Sequence, residues 1–173
     1  NMALRIYHLL AGSILAAHLL SAPSFVSATT TVEVYKSPTC GCCAKWVDHM
    51  KDHGFTVKTK NVGNKEARKR AGISASLGSC HTAFVNGYAI EGHVPADDVI
   101  RLLKERPKAV GLAVPNMPKG SPGMESSRPQ AYDVLLVKQK GDRYLDTAVF
   151  NRHDPNAPKS KQPTQQGSVM RLK

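Results

Sequence analysis

Apolar residues at helical spacing mark two segments of the chain. Cys43, Val47 and Met50 recur at i, i+4 and i+7 with Trp46 beside them, which predicts a helix over 43–53 that stops at Gly54. After Pro95, the positions Ala96, Val99, Ile100 and Leu103 repeat in the same way. Asp97 and Asp98 sit in that first turn, where the helix dipole favours acids, and Pro107 closes the element. Strand patterns lie between and around these helices. Thr31–Tyr35 is short and rich in β-branched residues, and Phe55–Val62 sets Val57 among polar neighbours. Asn64 is the predicted cap of a short basic helix through Ala71, ended by Gly72. Apolar runs on either side of Asn86-Gly87 predict a hairpin with a type I′ turn, because that turn needs positive φ at both positions.

The predicted order is β-α-β-α-β-β-α, that of an α/β domain of the thioredoxin/glutaredoxin architecture. A Pro/Gly-rich loop, Val114–Glu125, follows. An added C-terminal β-hairpin is then expected, from Tyr132–Lys138 through Gly141-Asp142 to Tyr144–Phe150. These elements place one domain over residues 29–150, long enough for a single core. Residues 1–28 read as a cleavable signal peptide. Arg5 gives a basic start, Ile6–Leu20 is largely apolar, and Val26-Ser27-Ala28 offers a small-residue cleavage site. The apolar run is short and broken by His8, Gly12, Ser13 and His18, which favours removal over a membrane anchor. Export to the periplasm is therefore expected, with membrane contact only through an uncleaved signal. Residues 151–173 are rich in Pro, Lys, Gln and Ser and read as a disordered basic tail.

The formal net charge is +11, a balance that could suit nucleic acid, an anionic surface or an acidic partner. Scattered basic residues, few aromatics and the export signal argue against nucleic acid. Much of the excess lies on Lys65–Arg70 and the last segment, where a charge run is ordinarily a solvated face.

The chemistry concentrates in Cys40-Gly41-Cys42-Cys43, three thiols within four residues, with Cys80 the only other cysteine. A helix N-terminus favours thiolate over thiol. Adjacent Cys42 and Cys43 make a poor disulfide, so Cys40–Cys43 is the expected bridge if one forms. That C-x-x-C spacing also marks Cys40 and Cys43 as a candidate redox-active pair. In the thioredoxin architecture the segment opening the third strand crosses beside this loop. Anchoring on Phe84–Gly87 puts Cys80-His81 there, with His81 where ordinary members carry a cis-proline. Four thiols exceed what dithiol exchange needs. Soft thiolates select Cu(I), Zn(II) or iron–sulfur clusters. Zinc usually takes two spaced pairs from two loops, and no iron–sulfur spacing is present. Adjacent cysteines chelate one tetrahedral ion poorly but can bridge neighbouring ions, which favours a polynuclear Cu(I)–thiolate site holding more than one ion.

The stretch Tyr35–Cys43, together with Cys80-His81-Thr82, Glu91-Gly92-His93-Val94-Pro95 and Gly111–Glu125, resembles the CopG-like copper-resistance family of periplasmic thioredoxin-like proteins. The likeness runs over residues 31–150 and leaves the tail outside it. It implies an exported copper-binding protein with Cys40, Cys42, Cys43 and Cys80 as ligands, copper ions and other periplasmic copper-handling proteins as partners, and a role in Cu(I)/Cu(II) interconversion.

Other residues carry weaker signals. His81 is balanced between a ligand and a strand-start residue bonded to backbone. The resemblance makes His93 a candidate accessory ligand. Met117 and Met124 are candidate thioether ligands in the Pro-stiffened loop, weighed against packing of that loop on the core. His49 and His53 have chelating i, i+4 spacing but read as solvated helix histidines. Two other functions stay open: a thiol–disulfide oxidoreductase acting on proteins, and a copper buffer or chaperone without turnover.

Overall fold

The computed structural model describes residues 29–138 and 146–158. The expected signal peptide, the Gly141-Asp142 turn and the tail beyond residue 158 lie outside the described residues. Strand β1 (Thr31–Lys36) leads into helix α1 (Gly41–Asp52), then β2 (Thr56–Lys60), α2 (Lys65–Ala71), β3 (His81–Val85), β4 (Tyr88–Glu91) and α3 (Ala96–Glu105). Three more strands follow: β5 (Gly111–Ala113), β6 (Tyr132–Val137) and β7 (Thr147–His153). The strands form one sheet in the order β2-β1-β3-β4-β5-β6-β7. The β1/β2 and β4/β5 pairs are parallel and the others antiparallel.

Local sequence accounts for most of these boundaries. Helix α1 buries Cys43, Trp46, Val47 and Met50, the stripe read from the spacing. It begins two residues earlier than expected, so Cys42 and Cys43 lie in its first turn and Cys40 is its N-cap. Asn86 and Gly87 both have positive φ, at 45° and 84°, as the β3–β4 turn requires. Gly72 ends α2 in the left-handed region.

Other features differ from the sequence expectation. Asn64 stands at the N-cap of α2, but its side chain makes no capping bond. Its amide donates instead to the Ser79 carbonyl at 3.1 Å and to Thr82 Oγ1 at 3.2 Å. Strand β2 stops at Lys60, and Val62 is exposed. On α3 the buried face is Ala96, Asp98, Val99 and Leu102, while Ile100 faces solvent. The helix is turned so that Asp98 meets β7, where it accepts from Asn151 Nδ2 at 2.8 Å and pairs with His153 Nε2 at 2.7 Å. These contacts, with His153 stacked on Tyr132, also carry β7 three residues past the expected domain end at 150.

Strand β5 has no counterpart in the periodic pattern. It has three residues, all buried, so it shows no alternation. Its neighbours explain the burial. Leu112 joins a core formed with Val32, Val34, Trp46, Met50, Ile90, Val99 and Leu102. Ala113 joins a smaller cluster with Ala71, Ile73, Leu77, Ala89 and Val137. Successive residues at 89–90 and 112–113 divide between the clusters, so these occupy opposite faces of the sheet. Helices α1 and α3 cover one face and α2 the other.

Gly111 opens β5 with its backbone against β4. A Cβ there would stand 1.7 Å from the Ala89 carbonyl oxygen, and backbone cannot yield as a side-chain tip can. Gly111→Ala is expected to cost about 3 kcal/mol or more by forcing the β4–β5 pair apart. Urea unfolding of the variant against the parent measures the loss.

Candidate metal centre

The turn after β1 sets the first three sulfurs. The Cys40 N–H donates to the Ser37 carbonyl at 3.2 Å, and the Cys40 carbonyl accepts from Ala44 at 3.2 Å to start the helix. Cys40 Sγ accepts the Cys43 N–H at 3.3 Å, serving as the helix cap that Ser or Asp usually supplies. Cys40 and Cys43 are joined by a disulfide, with Cys43 fully buried. Cys42 and Cys80 are free and half-buried. Cys42 Sγ lies 3.5 Å from Cys40 Sγ and 3.9 Å from Cys80 Sγ. The crossing expected for Cys80 is therefore present: a residue 38 positions from Cys42 touches it through sulfur. All four sulfurs lie within 4.8 Å of one another.

Cys80 is held there by polar groups around Ser79. The Ser79 N–H donates to Glu91 Oε1 at 2.8 Å. Its carbonyl accepts from Arg68 at 2.9 Å and from Asn64, and its hydroxyl donates to the Asn116 carbonyl. Glu91 itself is fully buried. Oε1 also accepts from Arg68 Nε at 2.8 Å, and Oε2 accepts from the Thr82 hydroxyl at 2.5 Å. Burial raises the Glu91 pKa, and the bonds from Thr82, Ser79 and Arg68 oppose that rise. The alternative to this saturation would be an unpaired buried carboxylate, which is costly.

Two imidazoles complete the cluster. His93 Nε2 is 2.9 Å from Cys80 Sγ, and His93 Nδ1 is 2.7 Å from the Pro122 carbonyl. A carbonyl only accepts, so Nδ1 carries the proton and the Nε2 lone pair points at sulfur. Binding of the far nitrogen in this way is what orients a metal-ligating histidine. His81 is fully buried and holds Nδ1 3.4 Å from Cys80 Sγ. Among the described residues its Nε2 has no hydrogen-bond partner. Burial lowers the pKa of both histidines, with His93 as a further cause at His81, so both rings are neutral donors near pH 7. Cys80, His81 and His93 form a second group with donor atoms within 4.8 Å of one another. The Cys80 thiol is pushed up to about 12, first by burial and then by Cys42.

Both candidate methionines lie on the loop that follows β5. Met117 is exposed and lines a cleft of about 400 Å³ with Val114, Tyr132 and Leu135. Met124 is half-buried and closes the turn that begins at Ser121, whose carbonyl accepts its N–H at 2.8 Å. The loop brings backbone to the centre. Pro122 supplies the carbonyl to His93. A Cβ on Gly123 would stand 2.6 Å from the Cys42 carbonyl oxygen and 3.0 Å from Trp46 N. Trp46 is core, as expected, and also borders the site: its ring lies 4.4 Å from that of His81 and its Nε1–H donates to the Val94 carbonyl at 2.8 Å.

Sequence reasoning did not find Glu91, Arg68, Asn64 or Pro122, whose roles depend on where distant segments meet. It also misread His49. His53 is exposed as expected, but His49 Nε2 accepts the Ala96 N–H at 3.0 Å and so caps α3 from α1. The signal available was the i, i+4 pair itself, which gave no hint that only one member faces inward.

Comparison with known proteins adds three findings. The family model described as "Protein of unknown function, DUF411" matches residues 77–124, the segment that holds Cys80, His81, Glu91 and His93. Two solved structures, named "Copper resistance protein copG" Form 1 and Form 2, are each 38% identical to this chain with a TM-score of 0.65. Form 1 aligns with 73% of this chain and 98% of its own length, and Form 2 with 72% and 98%. No curated protein matches.

The His49 contact has a pH signature. Burial, then the neighbouring His53 charge, lowers its pKa from 6.5 to about 4, with Asp97, Glu125 and Asp52 opposing. A depressed folded-state pKa means the unfolded chain binds the proton more tightly. The associated stability is present above pH 6.5 and is lost as pH falls toward 4. His49→Gln keeps an acceptor for Ala96 without a titrating ring. Its unfolding free energy is expected to fall less steeply than the parent's between pH 6.5 and 4, as read from denaturant midpoints.

Proposed function

The chain belongs to the CopG family of copper resistance proteins, and from that membership we propose that it binds Cu(I) in a polynuclear thiolate site made by Cys40, Cys42, Cys43 and Cys80. The observation that carries this reading is the convergence of the four sulfurs, with Cys80 shared between the thiol group and a pair of buried neutral histidines. Four soft donors in one patch suit Cu(I), while imidazole nitrogens beside them suit Cu(II) as well. His81 and His93 would extend the site on its second side. Met117 is left out of the ligand set because it lies on a different cleft.

The fold reading that goes with this is a thioredoxin-like domain carrying an added C-terminal hairpin. Its support is the first seven elements in the order β-α-β-α-β-β-α and the parallel and antiparallel pairings of β2-β1-β3-β4. The antiparallel β6/β7 pair supports the hairpin. Export to the periplasm, with residues 1–28 as the signal, belongs to the same proposal and rests on the sequence pattern. No helix among the described residues is long and apolar enough to cross a membrane.

The proposed reaction uses the Cys40/Cys43 pair. In the reduced protein, the two thiols give one electron to each of two Cu(II) ions. The S–S bond forms, two protons leave, and two Cu(I) ions result. While that bond stands the ions are held by Cys42, Cys80 and the two imidazoles, and the full four-thiolate site belongs to the reduced protein. The disulfide between Cys40 and Cys43 favours this reading over a buffer that never cycles. It also fits a thiol–disulfide oxidoreductase, but His81 stands where such enzymes seat substrate against a cis-proline, and no cis peptide occurs among the described residues.

Anaerobic titration of the reduced protein with Cu(I) and metal counting checks the site. More than one tightly held copper per chain is expected, falling sharply in Cys80→Ser and in Cys42→Ser. Stoichiometric zinc with indifference to copper would refute it. The redox step has its own readout. Cu(II) mixed with reduced metal-free protein should give Cu(I) with loss of two thiols for every two ions reduced. In Cys43→Ser the formation of Cu(I) should drop by about tenfold or more.

A further inference from the structure

Cys42 stands between two sulfur neighbours and belongs to neither end of the disulfide. Its Sγ is 3.5 Å from Cys40 Sγ, one half of the Cys40–Cys43 bond, and 3.9 Å from the free Cys80 Sγ. Both contacts are close to van der Waals separation for sulfur, so within a cluster whose four sulfurs all lie within 4.8 Å of one another, bond and contacts run in the order Cys43, Cys40, Cys42, Cys80. Thiol–disulfide exchange requires an attacking sulfur next to the bond it breaks. The contacts of Cys42 with Cys40 and of Cys80 with Cys42 supply such a neighbour for each of two steps.

We infer that the disulfide migrates inside the protein, from Cys40–Cys43 through Cys42 to Cys80. In the first step Cys42 attacks Cys40. The Cys40–Cys42 bond forms, the Cys40–Cys43 bond breaks, and Cys43 leaves as thiolate. In the second step Cys80 attacks Cys42 as its proton passes to His93 Nε2, 2.9 Å away. The Cys42–Cys80 bond forms, the Cys40–Cys42 bond breaks, and Cys40 leaves. Each attacking thiol gives up a proton and each leaving sulfur takes one. One bond is made for each bond lost, so no outside oxidant or reductant takes part.

The surroundings favour departure of the first pair. Cys40 caps α1 and Cys43 lies in its first turn, where the helix N-terminus stabilises a leaving thiolate. Cys43 is fully buried and beyond reach of an outside thiol, whereas Cys42 and Cys80 are both half-buried. Migration therefore returns Cys40 and Cys43 to the reduced state and moves the oxidised bond to two sulfurs that face solvent in part. The inference concerns sulfur alone and stands or falls apart from the copper reading.

The test uses the full chain, stripped of metal with chelator and carrying one disulfide, confirmed by a count of two free thiols. After anaerobic incubation at neutral pH the sample is acid-quenched, alkylated and cut with trypsin. The Cys40–Cys42–Cys43 fragment spans 37–45 and the Cys80 fragment spans 71–101. The resting bond leaves these fragments separate, and the migrated bond links them. We expect linked fragments to accumulate with time, and to fall by about tenfold or more in both Cys42→Ser and Cys42→Ala. The inference is overturned if Cys80 stays fully alkylated at every time point. It is equally overturned if linkage persists in both Cys42 variants, since Cys80 would then reach the bond without the relay.

Discussion

The buried carboxylate of Glu91 organises the part of the molecule where the chemistry lies. It sits on β4, accepts the backbone N–H of Ser79 and draws Arg68 down from α2, while Thr82 on β3 donates to its other oxygen. Three elements and a loop thus share one charge. Cys80 follows Ser79 directly, so the sulfur that joins the thiol group to the imidazole group is positioned by a carboxylate that never touches it. A buried ion pair gains little net stability over an apolar replacement, but removing one partner is costly. The value of this one lies in geometry. It fixes a non-helical segment beside the first turn of α1 to within sulfur contact.

The histidines show a related division of labour. His93 takes its orientation from the Pro122 carbonyl, and the loop that supplies it is pressed on α1 through Gly123. His49 leaves the sulfurs alone and ties α1 to the start of α3. That start directly follows the His93–Pro95 segment, and the Trp46 bond to Val94 runs in parallel with it. Helix α1 therefore carries the cysteines at its first turn and, further along, two bonds that hold the segment bearing His93.

Much of this was legible in the chain, and the reasons are local. The stripe Cys43, Trp46, Val47, Met50 needs only helical periodicity, and Asn86-Gly87 needs only the turn chemistry of positive φ. Placing Cys80 against Cys42 asked more, because it required the element order as well as the spacing, and it still succeeded. Strand β5 escaped because three fully buried residues carry no period. Ile100 was assigned to the core face because periodicity gives the angle between residues but not the rotation of a helix. Asp98, anchored by His153 and Asn151, sets that rotation. Glu91, Arg68 and Asn64 read as ordinary polar residues, and only the meeting of α2, β3 and β4 gives them a common task.

Gly123 has a consequence for how the loop sits on α1. With no room for even a methyl group between its α-carbon and the Cys42 carbonyl, main chain from the loop lies flat on main chain at the mouth of α1. On this side the first turn of α1 is covered by the protein's own backbone. Any side chain at position 123 would push the loop off α1 and, with it, the Pro122 carbonyl that holds His93.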